Sequence, residues 1–122
     1  MDSRLRASIA ATVIAHCTGR QVASVYDHDA KEQRGLQAHA LGARVTCYDG
    51  TSSLQLGGEL PNLLRSPERT ALYLERTDAG EYRGFDHASE THFNVRADGL
   101  SAQLYDHAEG RWFSYSAYPA GF

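Results

Sequence analysis

Phe85-Asp86-His87-Ala88-Ser89-Glu90-Thr91-His92-Phe93-Asn94-Val95 lies over Tyr105-Asp106-His107-Ala108-Glu109-Gly110-Arg111-Trp112-Phe113-Ser114-Tyr115 without a gap. Asp, His, Ala and Phe recur at the same places, and both stretches open on an aromatic ring. Val25-Tyr26-Asp27-His28 and Cys47-Tyr48-Asp49-Gly50 share the start of the pattern, although matching them further needs gaps after the Asp. A segment that recurs on this scale is one supersecondary piece, which cannot bury its apolar face alone and relies on its neighbours. The repetition therefore speaks of architecture before chemistry.

Each unit reads as strand, turn and strand. Val45 and Cys47 alternate with Arg44, Thr46 and Tyr48, and Ala102 and Leu104 alternate with Ser101, Gln103 and Tyr105. In the first unit Ala23, Val25 and Asp27 fall on one side, with Val22, Ser24 and Tyr26 on the other. Beyond the turns, Phe93 and Val95 alternate with His92, Asn94 and Arg96, and Leu54 and Leu56 with Ser53, Gln55 and Gly57. Period two is the strand signature. The Asp at the turn has a structural role at hand, because its carboxylate can accept from backbone N–H groups two residues on. A further hairpin joins the units. Its turn is Thr77-Asp78-Ala79-Gly80, with Gly80 suited to the left-handed position of a bulged turn.

The chain has 122 residues, enough for a single domain spanning 1–122 with one core. A hydrophobic share of 42% with 22% charge excludes a disordered chain. A net charge of −3 with no basic stripe argues against nucleic acid as a partner. Lys31 is the sole lysine, which leaves little scope for amine chemistry. Cys17 and Cys47 are expected as reduced, buried thiols, with a disulfide between them left open.

Ahead of the hairpins, residues of about 3–17 read as an amphipathic helix, capped by Asp2 or Ser3 and ended by Gly19. Leu5, Ile9 and Val13 form the stripe that would pack on the sheet. The alternative is a short signal sequence, with Arg4 and Arg6 before an apolar run. Ser8 and Thr12 dilute that run, and it is too short to span a membrane. The cytoplasm is the expected compartment, with no membrane contact. Gly57-Gly58-Glu59-Leu60-Pro61-Asn62-Leu63-Leu64-Arg65-Ser66-Pro67-Glu68 looks like the longest break in strand pattern and a crossing between halves.

The expected fold is mainly β: one N-terminal α-helix, then an antiparallel meander of repeated hairpins over about 21–118, rolled or barrel-like, with eight or nine strands. Exposed strand edges need protection, which favours a homo-oligomer.

Two constellations could carry chemistry. Asp86 and Asp106 with His87, His92 and His107 have ligand chemistry for a divalent metal, if the turns bring them together. The plainer reading is solvated turn histidines beside capping carboxylates. Tyr26, Tyr48, Phe85 and Tyr105 fall on one face with Ser24, Thr46, Arg83 and Gln103. Such a row can stack on sugars or bases, or simply pack across strands. No nucleophile elbow, phosphate loop or His-Glu-x-x-His occurs, and no cofactor is implied. The sequence thus favours a non-enzymatic structural or interaction module. Small-ligand or carbohydrate binding through the aromatic row, and a metal site, stand as alternatives.

Overall fold

A computed structural model describes residues 1–121. The helix α1 (Ser3–Thr18) is followed by eleven antiparallel strands: β1 (Val22–Asp27), β2 (Glu32–Arg34), β3 (Leu36–Leu41), β4 (Arg44–Asp49), β5 (Leu54–Glu59), β6 (Asn62–Ser66), β7 (Thr70–Asp78), β8 (Glu81–Asp86), β9 (Thr91–Asp98), β10 (Ser101–Asp106) and β11 (Arg111–Pro119). Sequence-adjacent strands from β3 to β11 pair in order, and β1 then pairs with β11, so the meander closes into a barrel. β2 and β3 both pair with β1 and are parted only by Gly35. They occupy one strand position, which gives a closed barrel of ten.

The strand count exceeds the eight or nine expected, and the segment read as a break is the main reason. Gly57 and Gly58 lie within β5, and Leu60-Pro61 is a two-residue turn with Glu59 opposite Asn62. Glycine and proline interrupt the apolar pattern there without interrupting the ladder. A second difference concerns β1. Its register with β11 shifts between Val22 and Ser24. This bulge turns Val22 inward with Val25 and Asp27 and leaves Ala23 exposed.

The helix differs most from expectation. Asp2 caps it as expected, its carboxylate accepting from Leu5 N–H (2.8 Å), and Gly19 ends it in the left-handed conformation. It does not lie on the sheet with one apolar stripe. Residues from Ala7 to Ala15 are buried on every side, and they join the inward residues of the strands in one core. α1 touches β1, β3, β4, β9, β10 and β11, so it runs inside the barrel. Eight strands make an interior that side chains alone can fill. Ten leave more room, and an alanine-rich helix fills it. Within the helix Thr12 donates to the Ser8 carbonyl (2.8 Å), which satisfies a hydroxyl that water cannot reach.

Closure also removes the premise for an edge-driven oligomer, because β1 and β11 protect each other. Many outward residues in the middle of the strands are charged or polar, among them Thr46, Arg83, Glu75, Gln103 and Arg96, although Leu64 and Tyr73 also face out. A barrel in lipid carries an apolar outward band instead. No helix among the described residues is long and apolar enough to cross a membrane.

Candidate functional site

The two ends of the barrel are built differently. At one end the strands are joined by two-residue turns, as between Leu41 and Arg44 and between Asp98 and Ser101. At the other, five hairpins share one geometry. Asp27 pairs with Glu32, Asp49 with Leu54, Arg65 with Thr70, Asp86 with Thr91 and Asp106 with Arg111. The fourth residue after the first of each pair has positive φ: Lys31, Ser53, Arg69, Glu90 and Gly110. Each loop therefore has the same left-handed closing residue, and only at Gly110 is that position free of side-chain strain.

The aspartates point into the barrel and are spent on these turns. Asp27 Oδ1 accepts from the N–H groups of Asp29 (3.1 Å) and Ala30 (3.0 Å). Asp49 accepts from Thr51 N–H (3.0 Å) and the Ser52 hydroxyl (2.9 Å). Asp86 accepts from Ala88 N–H (3.3 Å) and the Ser89 hydroxyl (2.6 Å). Asp106 accepts from Ala108 N–H (2.9 Å) and Glu109 N–H (3.3 Å), and Arg6 donates to its other oxygen (3.1 Å). Burial works to raise the Asp106 pKa. The two N–H groups, the Met1 ammonium and Arg6 outweigh it and hold the carboxyl below its ordinary value. Two of them meet the N-terminal end of α1, where the helix dipole favours negative charge: Asp106 through Met1 and Arg6, and Asp27 through Arg34, which also reaches Ser3.

The histidines project the other way. His87, His92 and His107 are exposed on the outer wall, while Asp86 and Asp106 face inward. The five residues considered as a metal set thus lie on opposite sides of the sheet. Among the described residues no three His, Cys, Asp or Glu side chains converge as a ligand set. Instead each histidine that directly follows a turn aspartate leans edge-on against the ring two residues before it. Centroid separations are 4.9 Å for Tyr26–His28, 4.8 Å for Phe85–His87 and 4.9 Å for Tyr105–His107.

The aromatic row is also outward. Tyr26, Tyr48, Phe85 and Tyr105 each precede a turn aspartate, on the outside of the wall. Tyr48, 47% exposed, stands apart on β4 between Gln37 and Gln55. Phe85 and Tyr105 are brought together by residues that the row did not include. Phe85 packs on His92 (4.6 Å), His92 lies 6.4 Å from His107, and Tyr105 meets Trp112 at 5.3 Å. The Arg96 guanidinium lies over the Trp112 ring, 4.4 Å from its centroid. Rings therefore stand on four successive strands, β8 to β11. Trp112, Asn94 and Arg96 are the members that sequence reasoning missed. Their signal was the outward alternation of β9 and β11, which gives their facing; the register then sets Asn94 and Trp112 opposite Tyr105, and Arg96 opposite Gln103.

Two open depressions mark this wall. One, of about 510 Å³, lies among Tyr73, Arg83, Phe85, His92, Asn94 and His107. The other, of about 330 Å³, lies among Glu81, Asn94, Arg96, Tyr105 and Trp112. Asn94 separates them, and its Oδ1 accepts from His107 Nε2 (2.7 Å). Arg83 is paired with Glu75 (2.8 Å), and the Tyr73 hydroxyl donates to the same carboxylate (2.9 Å). The hydrogen bonds from Tyr73 and Arg83 lower the Glu75 pKa, and the bond to Glu75 raises that of Tyr73.

Other reactive groups are muted. Burial pushes the Cys47 thiol up to about 12, far from a nucleophile at neutral pH. Both cysteines are free. His16 shares a 2.6 Å hydrogen bond between Nδ1 and the Tyr82 hydroxyl at the far end of α1, where burial and then Arg76 lower its pKa. No protein-family model, curated protein or solved structure matches this chain.

Proposed function

We propose that this protein is a non-enzymatic recognition module, assembled from recurrent hairpins, that binds its partner across the outer wall of β8 to β11. One observation carries this reading: four successive strands present outward rings, with His92 and Trp112 exposed and Phe85 and Tyr105 half-buried between them, while the lumen that other barrels use for ligands is filled by α1. The commitment of the four aspartates to turns supports a binding role over an acid–base one. Large aromatic side chains that are already held in place contribute contact area with little ordering cost.

The only tryptophan lies in the strip, so its emission reports on the wall directly. The test is a panel of neutral glycans, anionic glycans, peptides and oligonucleotides, read by Trp112 fluorescence. The expected result is a saturable change with some member, lost in Tyr105→Ala and kept in Tyr48→Ala. Silence across the panel, or a response indifferent to Tyr105→Ala, overturns the proposal.

A further inference from the structure

Resting on that reading, we infer that the wall takes a linear, uncharged glycan, laid across the strands from Phe85 to Trp112. Three properties of the strip separate this ligand from other chain-like ones.

The first is ring spacing. Phe85, His92, His107, Tyr105 and Trp112 follow one another at centroid steps of 4.6, 6.4, 4.9 and 5.3 Å, each inclined to the next by 53–84°, so that the strip offers separate rings and not one flat platform. A pyranose ring has an apolar face of C–H bonds and hydroxyls around its rim. The face needs an aromatic surface, and the rim needs planar donors and acceptors beside it. Asn94, Arg83, Glu75 and Glu81 stand beside the rings, and the two depressions on either side of Asn94 give room for more than one sugar.

The second is charge. Arg83 is neutralised by Glu75, and Arg96 is laid over Trp112. The strip offers no free row of cations for a phosphate or sulfate chain, and the whole molecule carries a net charge of −3. Arg96 also steadies the indole before any ligand arrives, so less side-chain freedom is lost on binding.

The third is closure. An extended peptide gains much of its affinity by adding a strand to a free edge. β8, β9, β10 and β11 are paired on both sides, so this wall has no edge to add to. A peptide would have to bind by side chains alone in shallow, open depressions. A sugar chain needs no backbone ladder.

The experiment titrates the intact protein with cellohexaose, xylohexaose, mannohexaose and maltohexaose, then with the shorter members of whichever series responds. Trp112 emission and calorimetry are the readouts. At least one hexasaccharide should bind, with affinity falling at least tenfold from hexasaccharide to disaccharide as rings are vacated. Tyr105→Ala, followed by fluorescence, and Trp112→Ala, followed by calorimetry, should each weaken binding at least tenfold with the melting temperature little changed. Tyr48→Ala should bind like the parent. Failure of all four hexasaccharides overturns the glycan assignment. If an oligonucleotide, an anionic glycan or a peptide then gives the Tyr105-dependent response, the wall remains the site and only the ligand class falls. Silence from every probe overturns both readings.

Discussion

The Arg6 guanidinium of α1 lies 3.1 Å from the carboxylate of Asp106, which is wholly buried at the end of β10. This pair ties the helix to the wall at the end where the turn aspartates gather. Asp106 consequently does more than its counterparts. It closes a turn through two N–H groups and neutralises a cation drawn from the lumen.

Loss of the two carboxylates should therefore differ in cost. Asp86→Ala removes turn acceptors and should destabilise by about 1–2 kcal/mol, as lost helix caps do. Asp106→Ala also strands Arg6, which is largely shielded from water, and should cost about 3–5 kcal/mol. Urea unfolding of the two variants checks the order. Equal costs would mean that the ion pair adds nothing.

The acid limb of stability follows from the same carboxylate. The folded-state pKa of Asp106 lies below its ordinary value of 3.8, so the folded protein binds this proton less readily than the unfolded chain. Its contribution is present above that ordinary value and is lost as pH falls through the depressed one. Asp106→Asn should flatten the stability profile below about pH 4. An unaltered acid limb in this variant would assign the loss to other groups.

His16 governs a milder range. Its folded-state pKa is lowered, so its stabilisation is complete above the ordinary value of 6.5 and declines as pH drops below it. Melting temperature should fall between pH 7 and 5, and His16→Gln should reduce that slope. A slope that survives the substitution would place the titration elsewhere.

Gly84 holds an inward place that Val25, Cys47 and Leu104 fill in other hairpins. Here the ring of Phe93 crosses it, and an added Cβ would collide with that ring and with the Tyr73 carbonyl. Gly84→Ala should cost about 3 kcal/mol through overpacking against backbone that cannot retreat. A variant melting within a degree or two of the parent would show that the wall yields.

Thiol chemistry gives a further check. At pH 8 a disulfide reagent should leave Cys47 untouched in the folded protein and modify it on unfolding, because the thiol is buried and its pKa is pushed up to about 12. Prompt labelling of Cys47 without denaturant would mean that the barrel opens.

Much of this architecture was legible in the chain. The period-two patterns gave most strands, and the Asp at each quoted unit does close its turn. The helix bounds and both caps were also readable. What escaped did so for physical reasons. A fifth hairpin of the same geometry carries Leu64-Arg65 where the others carry an aromatic and Asp. With both marker residues replaced, and Gly57, Gly58 and Pro61 nearby, it read as a break. The uncharged run from Ala7 to Ala15 is apolar nearly all round, which is the mark of a fully buried helix. The sequence alone still reads as a stripe, because an enclosing wall is a property of closure, and closure depends on β1 meeting β11. For the site, the facing of each side chain was legible, but adjacency was not. The stagger that sets Asn94, and not His92, opposite Tyr105 comes from the barrel.

The β1–β11 seam joins the first strand of the chain to the last. During synthesis α1 is made before every strand of the barrel, yet its enclosure must wait until Pro119 has been made. Until then the helix has no lumen to enter, and partly finished walls expose apolar faces and unpaired strands. Such long-range closure makes for slow folding. Closure should thus be a single late event that waits on β11, with the partly made barrel vulnerable to aggregation until then.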